Sequence, residues 1–441
     1  MPKRIVIVGG GFGGAAVAAR LERLVGKDPG IEIVLFDREN FSVFTPLLPE
    51  VPSGALEAKH IVSPLRARLR RTSVRQAEVR AIDIERRLIV AGHCPMCAEY
   101  VVEYDYLVLA LGSVTNFFGL PGVAEHAKTM KSLADASGLH DLVIGKFEHA
   151  DLEPDPEARR RRLTFVVAGG GFAGVETAAE LNDFVRAAGR YYPALSRDDV
   201  RVIVVHPGER ILPEVSPSLS SYALKKLTSR GVEVRLGARI QACDEQCVRL
   251  TNGERIDGET LIWTAGVSPH PLIAAVDLPR DRSGRVQVDA GLAVPERAGV
   301  YALGDCATVR DPETGAPYPP TAQYAIRQGK AVADNLVAAM RGGTPRSFRY
   351  KPLGMLASLG RHSAVAEIVG LKFSGFLAWW LWRTIYLTKL PGVERKLRVV
   401  FDWTLDLFFE RDIVYLRGMH TITGPAAEAH GHPDHAPPAL A

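Results

Sequence analysis

The chain has 441 residues, 47% of them apolar and 24% charged, with a formal net charge of +4. That length and apolar content describe a globular protein of two or three domains with a sizeable core. The mild charge, spread along the chain, argues against nucleic acid as a partner, and five cysteines with no secretory signal before Ile5 argue against a secreted disulfide framework. A cytoplasmic protein is expected.

The apolar run Ile5-Val6-Ile7-Val8 reads as a strand, and Gly9-Gly10-Gly11-Phe12-Gly13-Gly14 with the Ala-rich helix to about residue 24 completes a dinucleotide fingerprint. In such a motif Gly9 makes the tight turn, Gly11 lets the backbone approach a pyrophosphate at the helix N-terminus, and Gly14 lets helix and strand pack closely. A second strand, residues 31–36, ends at Asp37, followed by Arg38; a carboxylate there can accept the adenosine ribose hydroxyls. Residues 74–106 carry short strands of an inserted β-meander containing Val79. Cys94-Pro95-Met96-Cys97 has redox or half-zinc spacing, yet two further zinc ligands are wanting; it reads as a hairpin tip, and no metal is expected. Residues 106–112 form a buried strand ending in the small-residue turn Ala110-Leu111-Gly112, where the chain leaves the first domain.

Residues 151–162 look like a linker. The fingerprint then recurs as Gly169-Gly170-Gly171-Phe172-Ala173-Gly174, after the strand-like Phe165-Val166-Val167-Ala168. Two correctly flanked fingerprints imply two dinucleotides held at once. The strand 200–205 ends at His206, and 261–266 closes this unit at Gly266, as Gly112 closes the first. Residues 299–307, with Gly304 and Asp305, form a strand meeting a helix N-terminus and return the chain to the first domain.

In the C-terminal third, residues 373–387 hold Trp379, Trp380 and Trp382 in a stretch too short to span a bilayer. Arg398, Asp402, Asp406 and Glu410 then recur every fourth residue, opposite Leu397, Val400, Phe401, Leu405 and Phe408, as in a strongly amphipathic helix. Lys389, Arg395, Lys396, Arg411 and Arg417 suit anionic headgroups, and the tryptophans an interfacial depth. Membrane surface and homodimer interface both stay open. The Pro-, Ala- and His-rich residues 424–441 should be disordered.

The expected fold is α/β: two Rossmann-like dinucleotide-binding domains plus a C-terminal amphipathic-helix membrane anchor. The division is 1–113 and 288–345 for the first domain, 114–287 for the second, 346–423 for the anchor and 424–441 for the tail.

Two nucleotide folds with a returning Gly-Asp segment resemble the two-dinucleotide-binding-domain flavoproteins over residues 1–340. The resemblance implies FAD in the first site, with Asp305 on the ribityl chain, and NAD(P)H in the second. Residues 41–51 hold no cysteine, the second domain has no close pair of the thioredoxin reductase type, and Cys94 and Cys97 lie on the meander, so dithiol chemistry and sulfide oxidation are disfavoured. Phe44-Thr45-Pro46-Leu47-Leu48, the second fingerprint running on to Val175-Glu176, Thr321-Ala322-Gln323-Tyr324-Ala325-Ile326-Arg327-Gln328-Gly329 and Gly375-Phe376-Leu377-Ala378-Trp379 narrow the likeness. They resemble type II NADH dehydrogenases, the single-subunit, non-pumping NADH:quinone oxidoreductases.

That resemblance implies a peripheral respiratory enzyme on the cytoplasmic face of the cell membrane. It places Glu176 near flavin and nicotinamide, positioning the ring or assisting proton movement. Gln323 of the quinone motif would face the quinone, and Arg327 replaces the motif's second glutamine, leaving the acceptor open between naphthoquinone, benzoquinone and a less usual oxidant. Its cofactor contacts would comprise Gly9, Gly11, Gly14, Asp37, Arg38, Val79, Ala110, Gly112, Gly304, Asp305 and Ala322 for FAD. For NAD(P)H they would comprise Gly169, Gly171, Gly174, His206 and Gly266. His206 stands where NADH-selective members carry an acid, with Arg210 close by, so NADPH stays open beside NADH. Two other readings stand: a soluble NAD(P)H-dependent flavin reductase, and a redox sensor binding both nucleotides without turnover.

Overall fold

The computed structural model describes residues 2–93 and 99–416. Cys94, Cys97, Arg417 and the 424–441 tail lie outside the described residues.

The first unit is a five-stranded parallel sheet in the order Val300–Ala302, Tyr106–Leu109, Lys3–Val8, Ile31–Asp37, Ser73–Gln76. Its central strands are continuous apolar runs because both faces are covered; Ile5, Val6, Ile7, Leu107 and Val108 are fully buried. Two helices, Phe12–Leu24 and Ala322–Met340, cross at glycines: a side chain at Gly329 would lie 2.5 Å from the Gly13 carbonyl. The expected meander is present as antiparallel Glu78–Asp83, Leu88–Gly92 and Tyr100–Glu103.

The second unit repeats the strand order: Lys128–Thr129, Thr260–Trp263, Thr164–Ala168, Arg201–His206, Val232–Leu236, all parallel. In each unit the fingerprint strand is central, so its glycine turn opens at the carboxyl edge where the strand order reverses. The crossings between units are tied by a two-stranded ribbon, Ser113–Thr115 against Val267–Pro269. Beyond it, Leu272, Ile273, Val276 and Leu278 pack in the first unit's core, so we place the return crossing at this ribbon.

Residues 151–162 are not a linker loop. Asp155 accepts from the N–H groups of Glu157 and Ala158, Pro156 occupies the first position, and a helix runs over Pro156–Arg162. Arg162 pairs with Glu153 at 2.7 Å, and Glu259, which Lys146 meets at 2.6 Å, also faces Arg161 and Arg162.

The C-terminal part is a three-stranded antiparallel sheet, Gly354–Ser358, Ala364–Ile368 and Leu371–Ser374, followed by helices Gly375–Lys389 and Val393–Phe408. Its core is shared with the first unit: Trp379, Trp382, Leu390, Val399 and Trp403 pack with Phe44, Leu47, Leu48 and Ile61. Of the three neighbouring tryptophans only Trp380 is exposed, so interfacial depth fits one ring of three. The terminal helix is amphipathic as expected, but Asp402 and Asp406 of its polar stripe face the protein while Arg398 stays exposed and pairs with Glu394 on the same helix. Asp402 meets His60 Nδ1 at 2.6 Å and Asp406 is 8% exposed, whereas Phe401 is 66% and Phe408 77% exposed. Glu410 falls past the helix end and accepts from Tyr191. Arg411, expected beside headgroups, is buried against Glu180 and Asp406 at 3.3 and 3.0 Å. Among the described residues no helix is long and apolar enough to cross a membrane.

Candidate active site

The first fingerprint has the geometry its glycines require. Gly9 sits at φ 104°, and a side chain there would meet the Ala110 carbonyl at 2.3 Å. One at Gly14 would lie 1.8 Å from the Gly9 carbonyl, whereas one at Gly11 would meet nothing within 4 Å among the described residues. Asp37 accepts the Gly10 N–H at 2.5 Å through Oδ2 and the Glu39 N–H at 2.7 Å through Oδ1. Burial pushes its carboxyl up, against those two bonds and Arg38. Val79 is buried on the meander and Arg38 is exposed.

At the same edge, Gly112 (φ 69°) follows the strand ending at Leu109, and Ala110 donates to Val8 at 2.8 Å. Asp305 Oδ2 accepts from Ser113 Oγ at 2.7 Å, and that oxygen accepts from Lys131 Nζ at 2.9 Å. Burial lowers the Lys131 ammonium, with Asp305 opposing. The helix expected directly after residue 307 does not form. Gly304–Cys306 is a single 3-10 turn, and the helix starts at Ala322. Gln328 on that helix accepts the Gly304 N–H at 2.8 Å, fixing the turn.

The second fingerprint repeats the pattern, with Gly169 at φ 111° and a side chain at Gly174 only 1.9 Å from the Gly169 carbonyl. At Gly171 one would meet only Glu214 Oε1, at 3.6 Å. His206 Nδ1 accepts the Gly170 N–H at 3.1 Å, the relation Asp37 has to Gly10. Burial lowers the imidazole, with Glu214 opposing, and the accepting Nδ1 requires the neutral ring. Arg210 gives its guanidinium to the Pro213 and Val215 carbonyls. A side chain at Gly266 would stand 2.4 Å from the tip of the exposed Phe118 ring, which would have to move aside.

Glu176, the fifth residue of the helix Phe172–Ala188, is buried beneath the C-terminal sheet. Its Oε1 accepts from Ser358 N at 2.9 Å and Trp382 Nε1 at 3.2 Å. Burial pushes its carboxyl up to about 8, with Glu50 and Glu180 adding and the two N–H donors opposing. Gln323 Nε2 donates to the Gly354 carbonyl at 3.1 Å, and its Oε1 accepts from Tyr350 at 3.3 Å. Arg327 is exposed, with its guanidinium 5.3 Å from the Tyr350 ring centroid. Gln323 and Glu176 thus bind opposite ends of one strand, about 13 Å apart along it, and Arg327 joins the Gln323 end. Sequence reading missed Ser113, Lys131, Gln328, Tyr350, Ser358 and Trp382. Only Gln328 carried a local signal, lying within the quinone-motif segment.

The family model for pyridine nucleotide-disulphide oxidoreductases matches residues 3–329, and that for the NDH2 C-terminal domain matches residues 353–412. The type II NADH:quinone oxidoreductase Ndh of Mycobacterium tuberculosis is 33% identical, covering 97% of this chain and 91% of its own. A probable NADH dehydrogenase of Dictyostelium discoideum is 32% identical over 93% and 91%. The fold is shared with the structure of NDH2 from Plasmodium falciparum in complex with NADH, at TM-score 0.87 and 20% identity, covering 94% of this chain and 100% of that one. The chain belongs to the pyridine nucleotide-disulphide oxidoreductase family and, within it, to the type II NADH:quinone oxidoreductases.

Proposed function

We propose that this chain is an FAD-dependent NADH:quinone oxidoreductase that works while resting on a membrane surface. The observation that carries this reading is the burial of Glu176, at the mouth of the second fingerprint, beneath the same C-terminal sheet that holds Gln323. The first site fits FAD: the space at Gly11 is open, Gly9 and Gly14 permit the close turn, and Asp37, Asp305 and Gly112 line the carboxyl edge. Bound there, FAD supplies two-electron chemistry, linking hydride from NADH to a quinone.

The chain's own residues do the rest. The N–H groups opening the helices Phe12–Leu24 and Phe172–Ala188 attract the two pyrophosphates. Asp305, Ser113 and Lys131 form a hydrogen-bonded row at the first site, suited to hold the ribityl chain. Glu176, with its carboxyl at about 8, carries a proton at neutral pH and can release it within the buried site. Gln323 has a donor and an acceptor, both held by its neighbours, so it can orient a quinone carbonyl without moving. Trp382 and Trp403 keep water from the carboxylates behind it.

Quinones reside in the bilayer, and the exposed apolar face of the terminal helix gives the protein a surface to lie on one. We place it on the cytoplasmic face of the cell membrane, as a peripheral protein. A second copy covering that face is the competing reading.

Purified, flavin-loaded protein mixed with NADH under anaerobic conditions should lose its flavin absorbance and regain it when quinone is added. No bleaching by NADH, or no quinone that restores the colour, would sink the assignment.

A further inference from the structure

Three acids lie on one face of the helix Phe172–Ala188: Glu176, Glu180 and Asp183, at i, i+4 and i+7. They span about 10 Å of helix axis. Acids are rarely fully buried, yet Glu176 and Glu180 are 7% and 3% exposed. The Asp183 side chain keeps 13% exposure and meets Arg230 at 2.7 Å and the Arg361 N–H at 2.6 Å. The row therefore runs from the buried site toward the surface.

Ser358 touches both buried members. Its N–H goes to Glu176 at 2.9 Å, and its Oγ donates to Glu180 Oε1 at 3.5 Å while accepting from Gly360 N at 3.2 Å. Ser53 Oγ reaches Glu180 Oε2 at 3.3 Å. Glu180 also faces Glu50 from the first unit, Asp406 and Arg411 from the C-terminal segment, and Arg383 from the tryptophan-bearing helix; Asp183 adds to the negative field. Glu50 is itself held by Trp403 Nε1 at 2.7 Å.

The proposed reaction, on which this inference rests, needs such a route. Quinone becomes quinol by gaining two electrons and two protons, forming two O–H bonds. NADH breaks one C–H bond and supplies both electrons with one hydrogen nucleus. Each turnover therefore draws one proton from water, and it must reach a site closed by Trp382 and the C-terminal sheet.

We propose that this proton enters along Asp183, Glu180 and Glu176, with Glu180 as the middle carrier. Ser358, bonded to both glutamates, positions them for the transfer. Burial, offset by Arg411, places the Glu180 carboxyl at about 7, where it can load and unload near neutral pH. Asp183 is pushed up as well, by burial against Arg230.

The test is Glu180→Gln in the full-length, flavin-loaded enzyme, with the two half-reactions followed separately. Bleaching by NADH should stay within about twofold, whereas reoxidation by quinone should slow on the order of a hundredfold. The residual rate should also lose its pH dependence around neutrality. Should Glu180→Gln not fold, Ser358→Ala removes only the bridging hydroxyl, and a several-fold slower reoxidation with a larger solvent deuterium effect is expected. Wild-type reoxidation with an unchanged pH profile, in whichever variant folds, overturns the relay. Failure of the native enzyme to be bleached by NADH or reoxidised by any quinone overturns instead the reaction on which it rests.

Discussion

Asp37 and His206 occupy the same place in the two units. Each follows its unit's fingerprint strand by one strand, and each accepts the N–H of the second glycine, at 2.5 Å from Gly10 and 3.1 Å from Gly170. The chemistry they offer a ribose differs. A carboxylate accepts both hydroxyls and repels a 2′-phosphate, whereas a neutral imidazole with Nδ1 committed has only its Nε2–H to give. That N–H is engaged with the Arg210 backbone carbonyl, so the histidine offers a 2′-phosphate neither a free donor nor the repulsion of a carboxylate. Arg210 adds little in this conformation, because its guanidinium is spent on backbone carbonyls. His206→Asp should therefore raise the preference for NADH over NADPH on the order of tenfold or more, since a carboxylate facing a phosphate costs a few kcal/mol. The measurement is the ratio of kcat/KM for the two nucleotides. An unchanged ratio would mean that this position does not set the choice.

At the scale of elements, the terminal helix Val393–Phe408 shows what periodicity reports and what it leaves open. A four-residue recurrence of acids opposite Leu and Phe establishes two faces; which face meets the protein depends on partners far along the chain. Here Asp402 finds His60 and Asp406 finds Arg411, so these two acids turn inward and Phe401, Leu405 and Phe408 turn out. Introducing charge as Phe401→Asp with Leu405→Asp should abolish flotation with lipid vesicles. Loss of two apolar side chains that the bilayer would bury weakens binding by about 3–6 kcal/mol, on the order of a hundredfold or more. FAD content should be retained. Flotation equal to the native protein would transfer this face to a second copy of the chain. The two sheets were legible because parallel strands buried on both sides read as apolar runs and fingerprint glycines sit at fixed spacing. The helix over Pro156–Arg162 was legible too, because Asp155-Pro156 is a helix-opening pair as much as a linker signal. Trp382 on Glu176, 206 residues away, and Ser358 on the same carboxylate, 182 away, left no trace in any local pattern. Only the folded chain makes them neighbours.

Across the whole molecule, one buried cluster joins all three parts: Glu50 from the first unit, Glu176 and Glu180 from the second, Asp406 and Arg411 from the C-terminal segment. Arg411 bonds Glu180 and Asp406 at once; burial works against its charge, but Glu180, Asp406 and Asp183 outweigh it and keep the guanidinium charged. The cluster ties stability to pH in a definite direction. Glu176 and Glu180 are pushed from 4.5 up to about 8 and about 7, so the folded state holds protons that the unfolded chain releases. Their contribution is therefore complete below about pH 4.5 and is lost as pH rises through 7 to 8. Arg411→Met removes the cation bonded to Glu180, leaving that buried carboxylate without its counter-charge at a cost of about 3–5 kcal/mol where it is ionised. The melting temperature of this variant should lie well below that of the native enzyme at pH 8 and approach it at pH 5, where the Glu180 carboxyl is protonated. Melts recorded across that range decide the matter. A deficit independent of pH would mean that Arg411 acts through packing alone, and a deficit larger at pH 5 would reverse the sign of the linkage.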